Sequence, residues 1–349
     1  MNILTVIIAI LCFGVIIMIH EAGHFFVAKK SGIRVLEFSI GMGPAIISKK
    51  KGETKYSLRA LPIGGYCAME GEDESSKDPR AFRNQAVWKR MLVTVAGAVM
   101  NLILGFFLII LVICLDTAVY TTRVAEFHTD KDGNDISTSS QWLQPGDRFV
   151  EINGLTIFTA TDISYALKND TCDTFTVVVE RNGQRVTLED VKFLDTKTNG
   201  LLDFYVQGEK KSFTTIMPYT CKTFVSTARL IWISLLDLIR GKYGFHDLSG
   251  VVGIIDTTTE FVAQSETLRE KALTLFDLMS FITINVGIFN LIPFPALDGG
   301  RLVFLIIEAI RRKQIPARIE GTIHFVGLAV LMLLMIAVTF QDILKIFQR

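Results

Sequence analysis

Four stretches of this chain are too apolar, for too long, to be accommodated by a water-soluble fold. Residues 3–28 and Met91–Leu115 exceed the roughly 20 apolar residues that cross a ~30 Å hydrocarbon core. A third run extends from about Leu275 through Asn290 and is broken by Pro293, Pro295 and the Gly299–Gly300 pair; a fourth covers about Ile323–Val338. With half of its 349 residues apolar, the sequence predicts a polytopic α-helical membrane protein: four transmembrane helices and a substantial aqueous part. The first run is read as a retained span, because it outlasts a signal-peptide core and no basic segment precedes it. A fifth run, Phe224–Ile239, carries Arg229 and Asp237 in its body. A charge at the bilayer centre costs about 2.5–3.5 kcal/mol on insertion scales, so an amphipathic helix at the membrane surface is expected there.

Basic side chains give the orientation. They crowd the segment between the first two spans, from Lys29 and Lys30 through Lys49–Lys51 to Lys89 and Arg90. They recur as Arg311, Arg312, Lys313 and Arg318 before the last span. The positive-inside rule puts both loops in the cytoplasm, and both termini and residues 116–270 outside. The predicted order is a first transmembrane helix over 1–28, a cytoplasmic region over 29–90 and a second helix over 91–115. A mostly-β domain over 116–210 and amphipathic helices over 211–274 follow, then a broken third helix over 275–312 and a fourth helix with its tail over 323–346. The β reading rests on β-branched runs such as Thr176–Val179 and on Arg181-Asn182-Gly183, a hairpin signal. A net charge of +1 gives no sign of a nucleic-acid partner, and no organic cofactor is expected. The five cysteines form no C-x-x-C pair; Cys172 with Cys221 is an open possibility in an oxidising compartment.

His20-Glu21-Ala22-Gly23-His24 is H-E-x-x-H on a helix. Histidines four residues apart share a helical face, so both imidazoles can reach one zinc ion while Glu21 acts as general base toward a water. The alternative is a polar helix–helix contact, but two histidines and a glutamate inside a span need a reason. At 1.5 Å per residue His24 lies roughly 7 Å and His20 roughly 13 Å from the basic boundary at Lys29, within the bilayer toward its cytoplasmic side. Zinc catalysis needs a third protein ligand. His128, His246 and His324 are poorly placed for it; Asp298, where prolines and glycines interrupt the third span, is the best candidate. Asp298 as a simple helix cap is the alternative.

H-E-A-G-H in the first span together with Asn290-Leu291-Ile292-Pro293-Phe294-Pro295-Ala296-Leu297-Asp298-Gly299-Gly300 in the third resembles the site-2 protease family of intramembrane metalloproteases, closest to its bacterial RseP type. Gly41-Met42-Gly43-Pro44 resembles the family's G-x-G-P element, and Leu61–Tyr66 its membrane-associated β-loop. Leu143-Gln144-Pro145-Gly146-Asp147 with Ile152-Asn153-Gly154 resembles a PDZ core, and Leu248–Gly253 the segment before the third span. Ser137–Trp142, Ala98 and Val251 depart from the family pattern, and only one PDZ-like unit fits.

The resemblance implies Zn²⁺ held by His20, His24 and Asp298, with Glu21 activating water. It also implies that Asn290 and Asn285 hydrogen-bond an unwound substrate. Gly41, Gly43 and the 56–68 loop offer a strand edge for it. Ordinary turns and a packing amide are the alternatives for these. Gly97, Asn101 and Gly105 recur at helix spacing and are read as packing. The expected partners are the lipid bilayer and membrane proteins with a single transmembrane helix; the expected site is a bacterial inner or plasma membrane, with the PDZ-like domain outside as a size filter. Anti-sigma factor cleavage and clearance of remnant signal peptides both suit this reading. A catalytically inactive scaffold that binds partners through the PDZ-like domain is the competing class; it is disfavoured because Glu21 and every candidate ligand are present.

Overall fold

The computed structural model describes residues 3–72, 74–129, 132, 135–169, 172–194, 202–244, 250, 253–254, 262, 265 and 267–347. Leu248, Ser249, Val251 and Val252, and much of the expected amphipathic region after residue 244, lie outside the described residues. The chain divides into two compact units, one of Met1–Leu108 with Ser234–Arg349 and one of Ile109–Ile233.

Helix α1 (Ile3–Lys30) is apolar for most of its length and stops at Ser31-Gly32. Gly32 adopts φ +81°, and the N–H of Ile33 donates to the Ala28 carbonyl at 2.9 Å, a Schellman closure that satisfies the last turn. Strands β1 (Val35–Lys51) and β2 (Thr54–Met69) then pair antiparallel, each bent so that the pairing runs twice. Residues 45–51 pair with 54–59, residues 55–58 also pair with 37–40, and 37–40 pair in turn with 65–69. The two outer edges of this small sheet are therefore 45–51 and 65–69. Its base is anchored by Ile33, Val35, Cys67 and Met69, which bury against Ala28, Phe82 and Val93. Its far end exposes Met42, Ile46, Ile47 and Leu61. Helix α2 (Val87–Leu115) follows.

The second unit carries a β-sheet together with helices. Strands β3 (Val119–Phe127), β4 (Arg148–Ile152), β5 (Leu155–Thr156), β6 (Phe175–Arg181), β7 (Gln184–Val191) and β8 (Phe204–Glu209) form a sheet ordered β7-β6-β4-β3-β8, with β5 on β4. Helix α3 (Ala160–Asn169) inserts between β5 and β6. Alternate residues of the strands, among them Phe149, Ile152, Val177, Val179 and Phe204, bury with Ile163 and Leu167 of α3. The turn Asn182-Gly183 closes the β6–β7 hairpin with both residues left-handed, as its sequence predicts. Asp147 closes the Gln144–Asp147 turn and pairs with Arg181 at 2.7 Å. Cys172 and Cys221 are exposed and are not joined to each other. Helix α4 (Phe213–Ile239) carries Arg229, which pairs with Asp162 at 2.7 Å.

Helix α5 (Leu268–Asn290) begins seven residues ahead of the expected third span, because Thr267 and Glu270 form a capping box. The expected single broken helix over 275–312 is two helices. The turn at 291–297 separates α5 from α6 (Asp298–Arg311). Helix α7 (Ala317–Phe347) also starts earlier than the expected 323. Among the described residues, four helices, α1, α2, α5 and α7, are long and apolar enough to cross a membrane. The protein is a multi-pass membrane protein.

Candidate metal centre and active site

His20, Glu21 and His24 stand one turn apart on α1, and Asp298 stands in the first turn of α6. The fold brings them together. His20 Nε2 and His24 Nε2 are 3.2 Å apart, and Asp298 Oδ2 lies 3.2 Å from the first and 3.4 Å from the second. Zinc–ligand bonds of about 2.0–2.1 Å make a tetrahedron whose edges are about 3.3 Å, which these three spacings match. Asp298 Oδ2 is buried with no hydrogen-bond donor, although the pocket around it is polar. A buried anionic oxygen facing two imidazole nitrogens calls for a positive charge, which a bound cation or a protonated imidazole supplies. Among the described residues, this is the only group of His, Cys, Asp and Glu able to hold a metal ion. The donor set fits zinc.

Each histidine is oriented from behind. His24 Nδ1 donates to the Val93 carbonyl at 2.8 Å, which leaves Nε2 as the free lone pair. His20 Nδ1 lies 3.3 Å from Asn101 Nδ2, and Asn101 is fully buried. Both partners come from α2. That helix can approach so closely because residue 97 is glycine: a Cβ there would lie 2.7 Å from His20 Nε2 and clash with His24. The Gly97 and Asn101 reading is thereby corrected. They meet the two histidines, not merely another helix, while Gly105 packs on Ile284 as expected. Asp298 is delivered by its own turn. At Gly299 and Gly300 a Cβ would strike the carbonyls of Ile292 and Phe294, so the two glycines let α6 start directly on the 291–295 segment. Further along, Glu308 of α6 forms a buried bidentate pair with Arg90 of α2, with Arg90 Nη1 to Glu308 Oε2 at 3.0 Å.

A cavity of ≈ 440 Å³ opens on this cluster. Tyr66–Met69 of β2, Glu72, Asn290 and Arg301 share its lining with His20, Glu21, His24 and Asp298. Arg301 and Glu72 form an ion pair there. Cys67 is in the lining but stays a neutral thiol, because burial, reinforced by Glu21 and Glu72, pushes its pKa well up. A larger cavity of ≈ 560 Å³ lies in the second unit, where Arg148 is paired with Glu180 and no metal-ligating cluster is present among the described residues.

The remaining expectations divide. Asn290, the last residue of α5, lines the cavity; Asn285 is not in that lining. Five positions along a helix is a rotation of about 140°, so the two amides cannot share a face. Gly41 and Gly43 are also outside the lining. They form the bend of β1, at φ +83° and +84°, and it is the 66–69 end of β2 that reaches the cavity. His324 lies outside the His20–His24–Asp298 group, and its Nδ1 accepts the Ala296 N–H at 2.9 Å two residues before Asp298. A histidine in an apolar span was the signal that could have marked it.

A model of peptidase family M50 matches residues 8–334 of the chain. A protein of Clostridium acetobutylicum named as a zinc metalloprotease is 33% identical over 359 residues, covering 98% of both chains. The regulator of sigma-W protease RasP of Bacillus subtilis is 30% identical over 428 residues, covering 98% of this chain and 99% of the relative. The zinc metalloprotease RasP of Bacillus licheniformis is similar to the same degree over the same span.

Proposed function

We propose a function from one premise: this chain belongs to peptidase family M50 and is a zinc metalloprotease. Its reaction is hydrolysis of peptide bonds within transmembrane segments, at a centre where His20, His24 and Asp298 hold zinc. The observation that carries this is the tetrahedral spacing of those three donors, two of them on a helix fit to cross a membrane and the third in the first turn of α6. When bound, zinc acts as a Lewis acid on the scissile carbonyl and makes water acidic enough to be used near neutral pH.

The chain's own groups do the rest. Glu21, in the same cavity, takes the proton from the attacking water and returns it to the leaving amine. A substrate helix must unwind first, since its carbonyls are paired. The 65–69 edge of β2 has one strand neighbour, at 35–40, and its other side is available to pair an extended segment beside the cluster. Asn290 offers a side-chain amide to the same segment. The β1–β2 sheet acts as a membrane-associated β-loop, its exposed Met42, Ile46, Ile47 and Leu61 resting against lipid.

The substrates are membrane proteins with a single transmembrane helix. The Bacillus subtilis relative is named for regulation of sigma-W, which favours an anti-sigma factor as the substrate class over remnant signal peptides. On this reading the second unit is a PDZ-like domain outside a bacterial plasma membrane, where it filters substrates by size; the basic loops support a site toward the cytoplasm. No feature of the site favours the inactive-scaffold reading.

Glu21→Gln tests the assignment. The variant is expected to keep its zinc and lose at least ~100-fold in cleavage of a model transmembrane substrate, within the range for a general base. Retained turnover would remove Glu21 from that role. Comparing membrane fragments that accumulate in cells carrying the wild type and the variant identifies the substrates.

A further inference from the structure

Helix α7 is exposed along most of its length, and its covered positions form one stripe that includes Glu320, His324, Gly327, Leu331, Val338 and Asp342. An imidazole in such a helix needs a polar partner. For His324 that partner is the turn that delivers Asp298, through the Ala296 N–H at 2.9 Å. Ala296 sits at φ +81°, a conformation that residues carrying a Cβ rarely adopt and that persists only where its surroundings enforce it. The surroundings come from α7 and α6. One turn beyond His324, a Cβ at Gly327 would lie 2.5 Å from Pro295 Cβ, so α7 is pressed against the turn along its His324–Gly327 edge. Phe304 of α6 backs the imidazole, with ring centroids 5.5 Å apart.

We propose that His324 is a positioning residue for the Asp298 carboxylate, holding the 294–297 turn in the left-handed conformation that aims Asp298 at His20 and His24. The role requires Nδ1 to be the acceptor, and so a neutral ring with its proton on Nε2. Without it the Ala296 N–H loses its acceptor, the turn relaxes toward ordinary φ, and the first residue of α6 swings with it. The inference rests on Asp298 as a zinc ligand.

The test is zinc retention by the full-length protein in detergent, titrated with a chelator and read as metal content. An Asn at 324 places its Oδ1 where Nδ1 stood, whereas a Gln reaches toward the position of Nε2. His324→Ala is expected to weaken zinc retention by ~10–100-fold, as removal of an outer hydrogen bond at a metal site does. His324→Asn should restore it to within a few-fold of wild type, and His324→Gln should behave like the Ala variant. Adding Ala296→Gly to His324→Ala should recover part of the loss, since Gly adopts the left-handed turn freely. A merely structural role would not separate Asn from Gln. If His324→Ala does not fold, the Asn–Gln comparison alone decides. Equal retention in wild type and His324→Ala, or in the Asn and Gln variants, overturns the proposal. A wild type that holds no zinc overturns the ligand assignment itself.

Discussion

Asp162 and Asp298 each hold carboxylate oxygen away from water, and they differ in what that oxygen meets. Asp162, at the start of α3, is completely covered; it accepts from Phe158 N–H at 2.9 Å, Thr159 N–H at 2.8 Å, Ser226 Oγ at 2.5 Å and Arg229 Nη2 at 2.7 Å. Asp298 Oδ2 meets two imidazole nitrogens and no hydrogen-bond donor. The first carboxylate is saturated by its own protein and ties α4 to α3. The second faces two ring nitrogens that can ligate the same ion, the arrangement on which the proposed zinc site rests. Burial of an acid is therefore not by itself a mark of chemistry; an unsatisfied lone pair among aligned ligands is.

The widest separation between the two should come from removing each. Asp298→Ala is expected to strip most of the zinc and to lower proteolysis at least ~100-fold, because a three-ligand site loses its only anionic donor. Unchanged metal stoichiometry would end the contrast. Asp162→Ala should leave zinc content alone and destabilise the second unit by about 3–5 kcal/mol, since Arg229 then loses its buried partner. A thermal melt of the isolated membrane extract, set against metal content, reads both.

Asn101 sharpens the comparison from the side of the histidines. When His20 Nε2 ligates, Nδ1 carries the proton, and a half turn of the Asn101 amide offers Oδ1, an atom that otherwise has no partner. Asn101→Leu is expected to weaken zinc binding by ~10–100-fold, measured by chelator competition; a change under twofold would return Asn101 to packing.

The smallest effect concerns Glu37, a carboxylate in the β1–β2 sheet. Burial acts to raise its pKa, but hydrogen bonds from Ser57 Oγ at 2.6 Å and Arg59 Nη2 at 2.8 Å outweigh that and hold it below the usual range. The stability it contributes is present above the ordinary value of ~4.3 and is lost as pH falls through the lower folded value. Amide protection factors in the sheet, taken relative to intrinsic exchange at each pH, should fall in acid for the wild type and stay flat across that window for Glu37→Gln. Matching profiles would show that the carboxylate carries none of the acid sensitivity.

The spans and the Asn182-Gly183 hairpin were legible because each depends on local pattern, and H-E-x-x-H with the proline-broken third span pointed to the residues that the fold brings together, His20, His24 and Asp298. The start of α5 was legible too, in Thr267 and Glu270, but a hydropathy reading passes over a polar first turn. Gly97 and Asn101 were misread for a physical reason. Small and amide residues at four-residue spacing look the same whether the facing helix presents aliphatic groups or imidazoles. Asn285 is set off the cavity lining by rotation about a helix axis, and Gly41 with Gly43 by the double pairing of β1, which sends the other end of the sheet to the cavity; neither placement is a local pattern. His324 announced itself as a polar residue in an apolar helix; its partner, a backbone N–H 28 residues away, is a fact of tertiary structure.

The pairing of Arg301 with Glu72 has an electrostatic consequence for the cavity as a whole. Counted as formal charges, those two groups cancel. With zinc held by His20, His24 and Asp298 as proposed, a divalent ion set against Asp298 and Glu21 would cancel as well, leaving a centre that carries no Born cost of a net charge in hydrocarbon. On that reading the metal would contribute to how the protein resides in its membrane as well as to what it cuts.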